Sequence, residues 1–123
     1  MKILQLCKKF PYPLKDGESL AIYNLAKGLV EGGAEVHLFC INTEKHYFEP
    51  ADFPAERNPY SSINAVKLNT AVTWHGALLN LFSGKSYHIE RFLSAKVAAS
   101  LSDLLRKITF DIVQLEGIHL TLY

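Results

Sequence analysis

What this chain lacks narrows its chemistry first. It has no G-x-G-x-x-G and no G-x-x-x-x-G-K-[ST], so the dinucleotide fingerprint and the P-loop are both missing. There is no G-x-S-x-G elbow for a serine nucleophile. The 5 histidines show no H-x-x-x-H spacing, which argues against a metal centre. Cysteine is scarce: Cys7 and Cys40 each lie inside an apolar, strand-like run. They read as buried reduced thiols, with a disulfide or a metal pair as the alternative. No apolar run approaches the ~18 residues of a membrane span. The opening MKILQLCKKF is too short and too soon charged for a secretory leader. A formal charge of +1 offers nothing to nucleic acid, which selects a strongly basic domain or stripe. These absences point to a cytoplasmic α/β-sized domain without a metal or a resident cofactor.

What is present alternates between two periods. KILQLC (2–7) is an apolar strand stopped by lysines and prolines. From about Gly17, the residues Ile22, Leu25, Ala26, Leu29 and Val30 recur at i, i+3, i+4, i+7 and i+8, one face of a helix. Gly32-Gly33 ends it, since a glycine just past a helix accepts the left-handed conformation at little cost. AEVHLFCI (34–41) then reads as a second strand. Strand, helix and strand with tight links predict a βαβ unit with two parallel strands. Residues 42–62, with Pro50, Pro54 and Pro59, predict a long loop with a short helical turn at most. INAVKLN (63–69) predicts a third strand, residues 88–107 a helix, and FDIVQLEG a further strand stopped by Gly117. The stripe from Trp74 to Phe82 has helical spacing and reads as a core-facing helix, a lipid or membrane docking surface being the alternative. The alternation predicts one Rossmann-like, three-layer α/β/α domain over 1–123 with a mostly parallel sheet.

Open parallel sheets bind ligands outside the carboxyl ends of their strands. That rule selects the segments 7–17, 41–47, 69–74 and 115–119. In the first, Gly17 opens a helix whose free N–H groups at Gly17, Glu18 and Ser19 suit a phosphate or diphosphate. Lys8, Lys9 and Lys15 add positive charge there, whereas Asp16 and Glu18 would repel an anion unless turned away. The competing reading is that Asp16 caps the helix and the lysines are solvated. In the last segment, Glu116 ends an otherwise apolar strand, with His119 nearby. Such a carboxylate can orient or deprotonate a hydroxyl, or it can make a structural bond to a neighbouring loop. His75 follows the third strand, His37 sits mid-strand as a packed residue, and His46 and His88 read as loop and cap residues.

The first strand with its proline-containing loop, followed by DGESLAIYNLAKGLVEGGAEVHLF, resembles the start of the two-domain (GT-B) retaining glycosyltransferases of the "group 1" type. In that family the loop reads P-x-x-GG-x-E or similar, and a helix of the form LA-x-x-L-x-x-x-GH-x-V leads into a strand. LAKGLVEGGAEVHLF is similar to that hand-over, and FDIVQLEG is similar to the later strand that reads D-V-V-H-x-H. FSGKSYHIERFLS resembles a subgroup feature of bacterial sugar transferases of cell-envelope polysaccharide biosynthesis. The resemblance implies an acceptor-side domain, inactive alone, that works with a C-terminal domain binding most of a nucleotide-sugar donor. The acceptor it implies is a glycan or a lipid-linked glycan, with peripheral membrane contact as a corollary. It also implies that the turn at Lys15, Asp16, Gly17 and Glu18 faces the donor. Gly17 matches the family's glycine loop, and Asp16 stands where the first glycine of the pair usually is. Glu116, in roughly the position of the family's active-site histidine, is implied in catalysis together with His119, with His75 lining the same cleft.

Overall fold

The computed structural model describes residues 1–68, 94–117, 120, 121 and 123. Strands β1 (Lys2–Cys7), β2 (Glu35–Thr43), β3 (Ser62–Leu68) and β4 (Ile112–Glu116) form one sheet in the order β3-β2-β1-β4. Every pairing is parallel, with Ile3 opposite Val36 on one side and Ile112 on the other. Helix α1 (Gly17–Glu31) links β1 to β2, and α2 (Ala95–Lys107) precedes β4. The predicted α/β architecture with a parallel sheet is therefore what the chain adopts.

Side chains alternate across a strand, so β1 feeds two cores. Ile3 and Cys7 face α1 and meet Ile22, Ala26, Val36, Leu38 and Cys40. Leu4 and Leu6 face the other way and meet Phe39, Ile41, Val66, and Val97, Leu101 and Leu104 of α2. A helix on each face gives three layers, and burial on both faces explains why the central strands are apolar almost throughout.

Helix α1 begins at Gly17, as its pattern predicts. Its C-terminus is closed by Gly32, followed by Gly33 at φ +91°, in the region where a Cβ would be strained. The buried stripe, however, is Ser19, Ile22 and Ala26, with Leu29 half-buried. Leu25 and Val30 are exposed, so the apolar pattern of this helix is wider than the face the sheet covers. Strand β2 runs two residues past the predicted end, because Asn42 and Thr43 still pair with Lys67 and Leu68. The segment between β2 and β3 holds three short 3-10 turns, Glu44–His46, Pro50–Asp52 and Ala55–Arg57. Helix α2 starts at Ala95, and residues 88–93 of the predicted helix lie outside the described residues. Ser94 is extended and its hydroxyl accepts from the Val97 N–H, an N-cap that begins the helix there. Leu105, placed on the apolar face by spacing, is exposed. The predicted Trp74–Phe82 helix, and with it His75 and His88, lies outside the described residues. Among the described residues, no helix is long and apolar enough to cross a membrane.

Candidate functional site

The strand order settles where the sheet opens. The chain moves outward from β1 through β2 to β3, then returns to place β4 on the other side of β1. The carboxyl ends of β1 and β4 therefore flank the topological switch point of the fold, where open parallel sheets form their ligand crevices. Cys7 and Glu116 are register partners at that point. The first and last of the segments selected from the sequence are the two that flank it. A larger groove of about 530 Å³ runs along α1 between Tyr23 and Arg57, away from the strand ends. Its charged Lys27 and Glu31 pair with each other at 3.9 Å. The topology, rather than the size of a groove, locates the site.

The turn after β1 is held from both ends. Phe10 is buried and stacks on Phe48 at 5.1 Å, and it meets Phe53 edge-on at 5.7 Å. Tyr12 packs on the same two rings at 5.2 and 5.0 Å. The bond between Tyr12 and Pro13 is cis. The aromatic residues among the prolines thus anchor the turn to the segment that follows β2. Beside them lies a hollow of about 160 Å³ lined by Lys9, Tyr12, Lys15, Asp16, His46 and Tyr47.

At the helix entrance Asp16 is extended, and its Oδ1 accepts from the Ser19 N–H at 2.8 Å. Its Oδ2 accepts from the Lys9 ammonium at 2.9 Å. The Ser19 N–H first, and the Lys9 ammonium next, lower the Asp16 pKa to about 2. Lys9 is only 7% exposed. Burial opposes its charge, but bonds to Asp16 and Glu18 outweigh burial and raise its pKa. Glu18 takes both Lys8 and Lys9 at 3.2 Å. The capping reading of Asp16 is therefore correct, but Lys8 and Lys9 are not simply solvated. Both are ion-paired with the acids of the same turn. Lys15 makes no ion pair among the described residues, and the Gly17 and Glu18 N–H groups take no partner there. A Cβ added at Gly17 would meet nothing within 4 Å, so neither packing nor backbone conformation demands glycine at that position.

Across the crevice, Glu116 is fixed by two amides. Gln5 Nε2 donates to its Oε1 at 3.2 Å, and Gln114 Nε2 donates to the same oxygen at 2.7 Å. Gln5 is 0% exposed and fully engaged: Nε2 also donates to the Ile22 carbonyl at 3.2 Å, and Oε1 accepts from the Tyr60 hydroxyl at 3.1 Å. Burial is the main reason the Tyr60 pKa is driven far up, so this phenol is a permanent donor. Burial is likewise the main reason the Cys7 thiol is raised; the Glu116 and Glu18 carboxylates add to it. Gly117, at φ +137°, turns the chain away immediately after Glu116.

The structure brings Lys15, Asp16, Gly17, Glu18 and Glu116 to the strand ends that flank the switch point; His119 lies outside the described residues. His37 is a packed sheet residue, between Ser62 Oγ at 2.7 Å and Glu35 Oε1 at 2.9 Å, and His46 is exposed on a 3-10 turn. Both cysteines are buried free thiols. Gln5 escaped the sequence reading, although an amide in the middle of KILQLC was the signal. No spacing betrays Lys9 as a buried residue or Tyr60 as the partner of Gln5. Among the described residues no group of His, Cys, Asp and Glu could hold a metal. The fold defines a three-layer α/β domain with a topological switch point between β1 and β4. Compared with known families, curated proteins and solved structures, the chain matches none of them.

Proposed function

We propose that the chain is the acceptor-side domain of a retaining glycosyltransferase. It moves a sugar from a nucleotide-sugar donor to a glycan or lipid-linked acceptor, in partnership with a donor-binding domain. The observation that carries this reading is Gly17. It sits at the start of α1, at the carboxyl end of β1, with open space where a side chain would stand. A glycine that the fold does not need is explained by something that must approach its backbone closely. The unpartnered N–H groups of Gly17 and Glu18 suit a phosphate oxygen of the donor, with Lys15 beside them. On this reading Glu116 works on a substrate hydroxyl, and His119 assists.

Gly17→Val tests this in a protein that carries the donor-binding domain. Because the added carbons enter open space, the circular dichroism spectrum and melting temperature should be unchanged. Transfer from nucleotide sugar should fall by roughly tenfold or more, the usual scale for losing donors aimed at a developing charge. Unchanged turnover removes the turn from the mechanism.

One observation favours a second reading, a non-catalytic α/β binding or regulatory module. Lys8 and Lys9 are already satisfied by Asp16 and Glu18, so the turn is stable without a ligand. The reading frame after Tyr123 separates the two. A second βαβ series with a glutamate-rich motif supports the transferase, and an immediate stop codon supports the module.

A further inference from the structure

The most elaborately built feature of the crevice is the mounting of Glu116. Oε1 of this carboxylate receives two amide donors, Gln5 Nε2 and Gln114 Nε2. Oε2 has no partner among the described residues and is open to solvent. Gln5 cannot turn its amide over. Its oxygen is held by the Tyr60 hydroxyl and its nitrogen by the Ile22 carbonyl, all inside the α1-side core. A carboxylate with one oxygen saturated and the other free, on a rotamer locked from behind, is a preorganised hydrogen-bond acceptor. Burying a primary amide in an apolar strand costs stability unless every group is paired, and here every group is.

The charges around the crevice say what such an acceptor would take. Around these strand ends stand Lys8, Lys9 and Lys15 with Asp16, Glu18 and Glu116, three positive charges and three negative ones. Two of the lysines are committed to those acids at 2.9–3.2 Å. The free oxygen of Glu116 repels phosphate and welcomes O–H donors. We infer that Gln5 is a positioning residue, which with Gln114 presents the free oxygen of Glu116 to hydroxyls of a neutral, unphosphorylated sugar. This rests on the reading of the switch-point crevice as a substrate site. It assigns the β4 end to the sugar of the acceptor and leaves any phosphate to the Gly17 side.

The test is an NMR titration of the intact chain, read at the backbone amides of Glu116 and Gly117 and of Gly17 and Glu18. The probes are a panel of neutral methyl glycosides (gluco, galacto and manno) and, separately, inorganic diphosphate. At least one glycoside should shift the Glu116 and Gly117 amides with millimolar affinity, while diphosphate leaves them unmoved. Glu116→Gln and Gln114→Met should each weaken that glycoside about tenfold, the scale of a hydrogen bond to a charged group. Gln5→Met should do the same, and so should Gln5→Met combined with Tyr60→Phe. The double variant removes the orphaned hydroxyl and restores stability, so weak binding that persists in it cannot be a folding defect. Wild-type affinity in that double variant overturns the positioning role, as does a glycoside that binds only near Gly17. In both cases the crevice remains a substrate site. Diphosphate acting at Glu116 refutes the assignment of the sugar. If no glycoside and no diphosphate shifts any of these amides, the inference and the crevice reading fall together.

Discussion

The Gln5–Tyr60 contact makes a sharp energetic prediction, because each partner is the other's only satisfaction at that atom. In Tyr60→Phe the ring stays and the hydroxyl goes, leaving the wholly buried Gln5 Oε1 without a donor. An orphaned buried acceptor costs about 1–3 kcal/mol. In Gln5→Met the volume is kept and the amide goes, leaving the Tyr60 hydroxyl orphaned for a similar ~1–3 kcal/mol. The Ile22 carbonyl retains its place in the helix ladder, and Glu116 retains Gln114. When both residues are changed no orphan remains, and an apolar pair of the same shape is close to neutral. The double variant should therefore be more stable than the sum of the single losses by about 2–6 kcal/mol. Urea unfolding followed by circular dichroism reads this directly. A single loss of ~2 kcal/mol moves the midpoint by about 1 M at an m-value near 2 kcal/mol/M. Additivity within ~0.5 kcal/mol would show that the two side chains are not coupled, and the mounting of Glu116 would lose its foundation.

Two further outcomes follow from the same geometry. The Asp16 carboxyl titrates at about 2 when folded against 3.8 ordinarily, a depressed value. Its contribution is thus complete above the ordinary value and disappears as pH falls through about 2. Acid titration of wild type and Asp16→Asn should give curves that converge between about pH 4 and pH 2; parallel curves would refute the Lys9–Asp16 pairing as a source of stability. Cys7 and Cys40 are buried, with thiol pKa values raised chiefly by that burial, so neither is a thiolate at neutral pH. A thiol-directed alkylating reagent should label them only at the rate of global unfolding, and stoichiometric labelling of the native chain would contradict the packing.

The central strands β1 and β2 were legible because they are buried on both faces, and β4, though partly exposed, because its run is apolar. KILQLC and FDIVQLEG are apolar runs bounded by charge, proline or glycine, and β1 and β4 fall within them. Helix α1 announced its start through Asp16-Gly17 and its end through Gly32-Gly33. The start of the helix before β4 was not legible, because Ser94 supplies a cap that periodicity cannot register. In the crevice, Gly17 and Glu116 could be picked out from their places at strand ends. What could not be read was commitment: which lysine pairs with which acid, and that Gln5 reaches Glu116 across a sequence separation of 111 residues. Those contacts depend on the strand order, which puts β4 beside β1, and no local pattern encodes that.

The aromatic cluster has a consequence for motion. Phe10 and Tyr12 lock the turn after β1 to Phe48 and Phe53, and Phe53 leads on to Tyr60 at 6.5 Å, whose hydroxyl holds Gln5. The floor of the crevice and the turn beside it therefore form a single stiff body, joined ring to ring. That turn is a fixed jaw. Any closing over a bound molecule has to be done by whatever stands opposite it, and slackening the rings would blur the geometry of Glu116 before it opened anything.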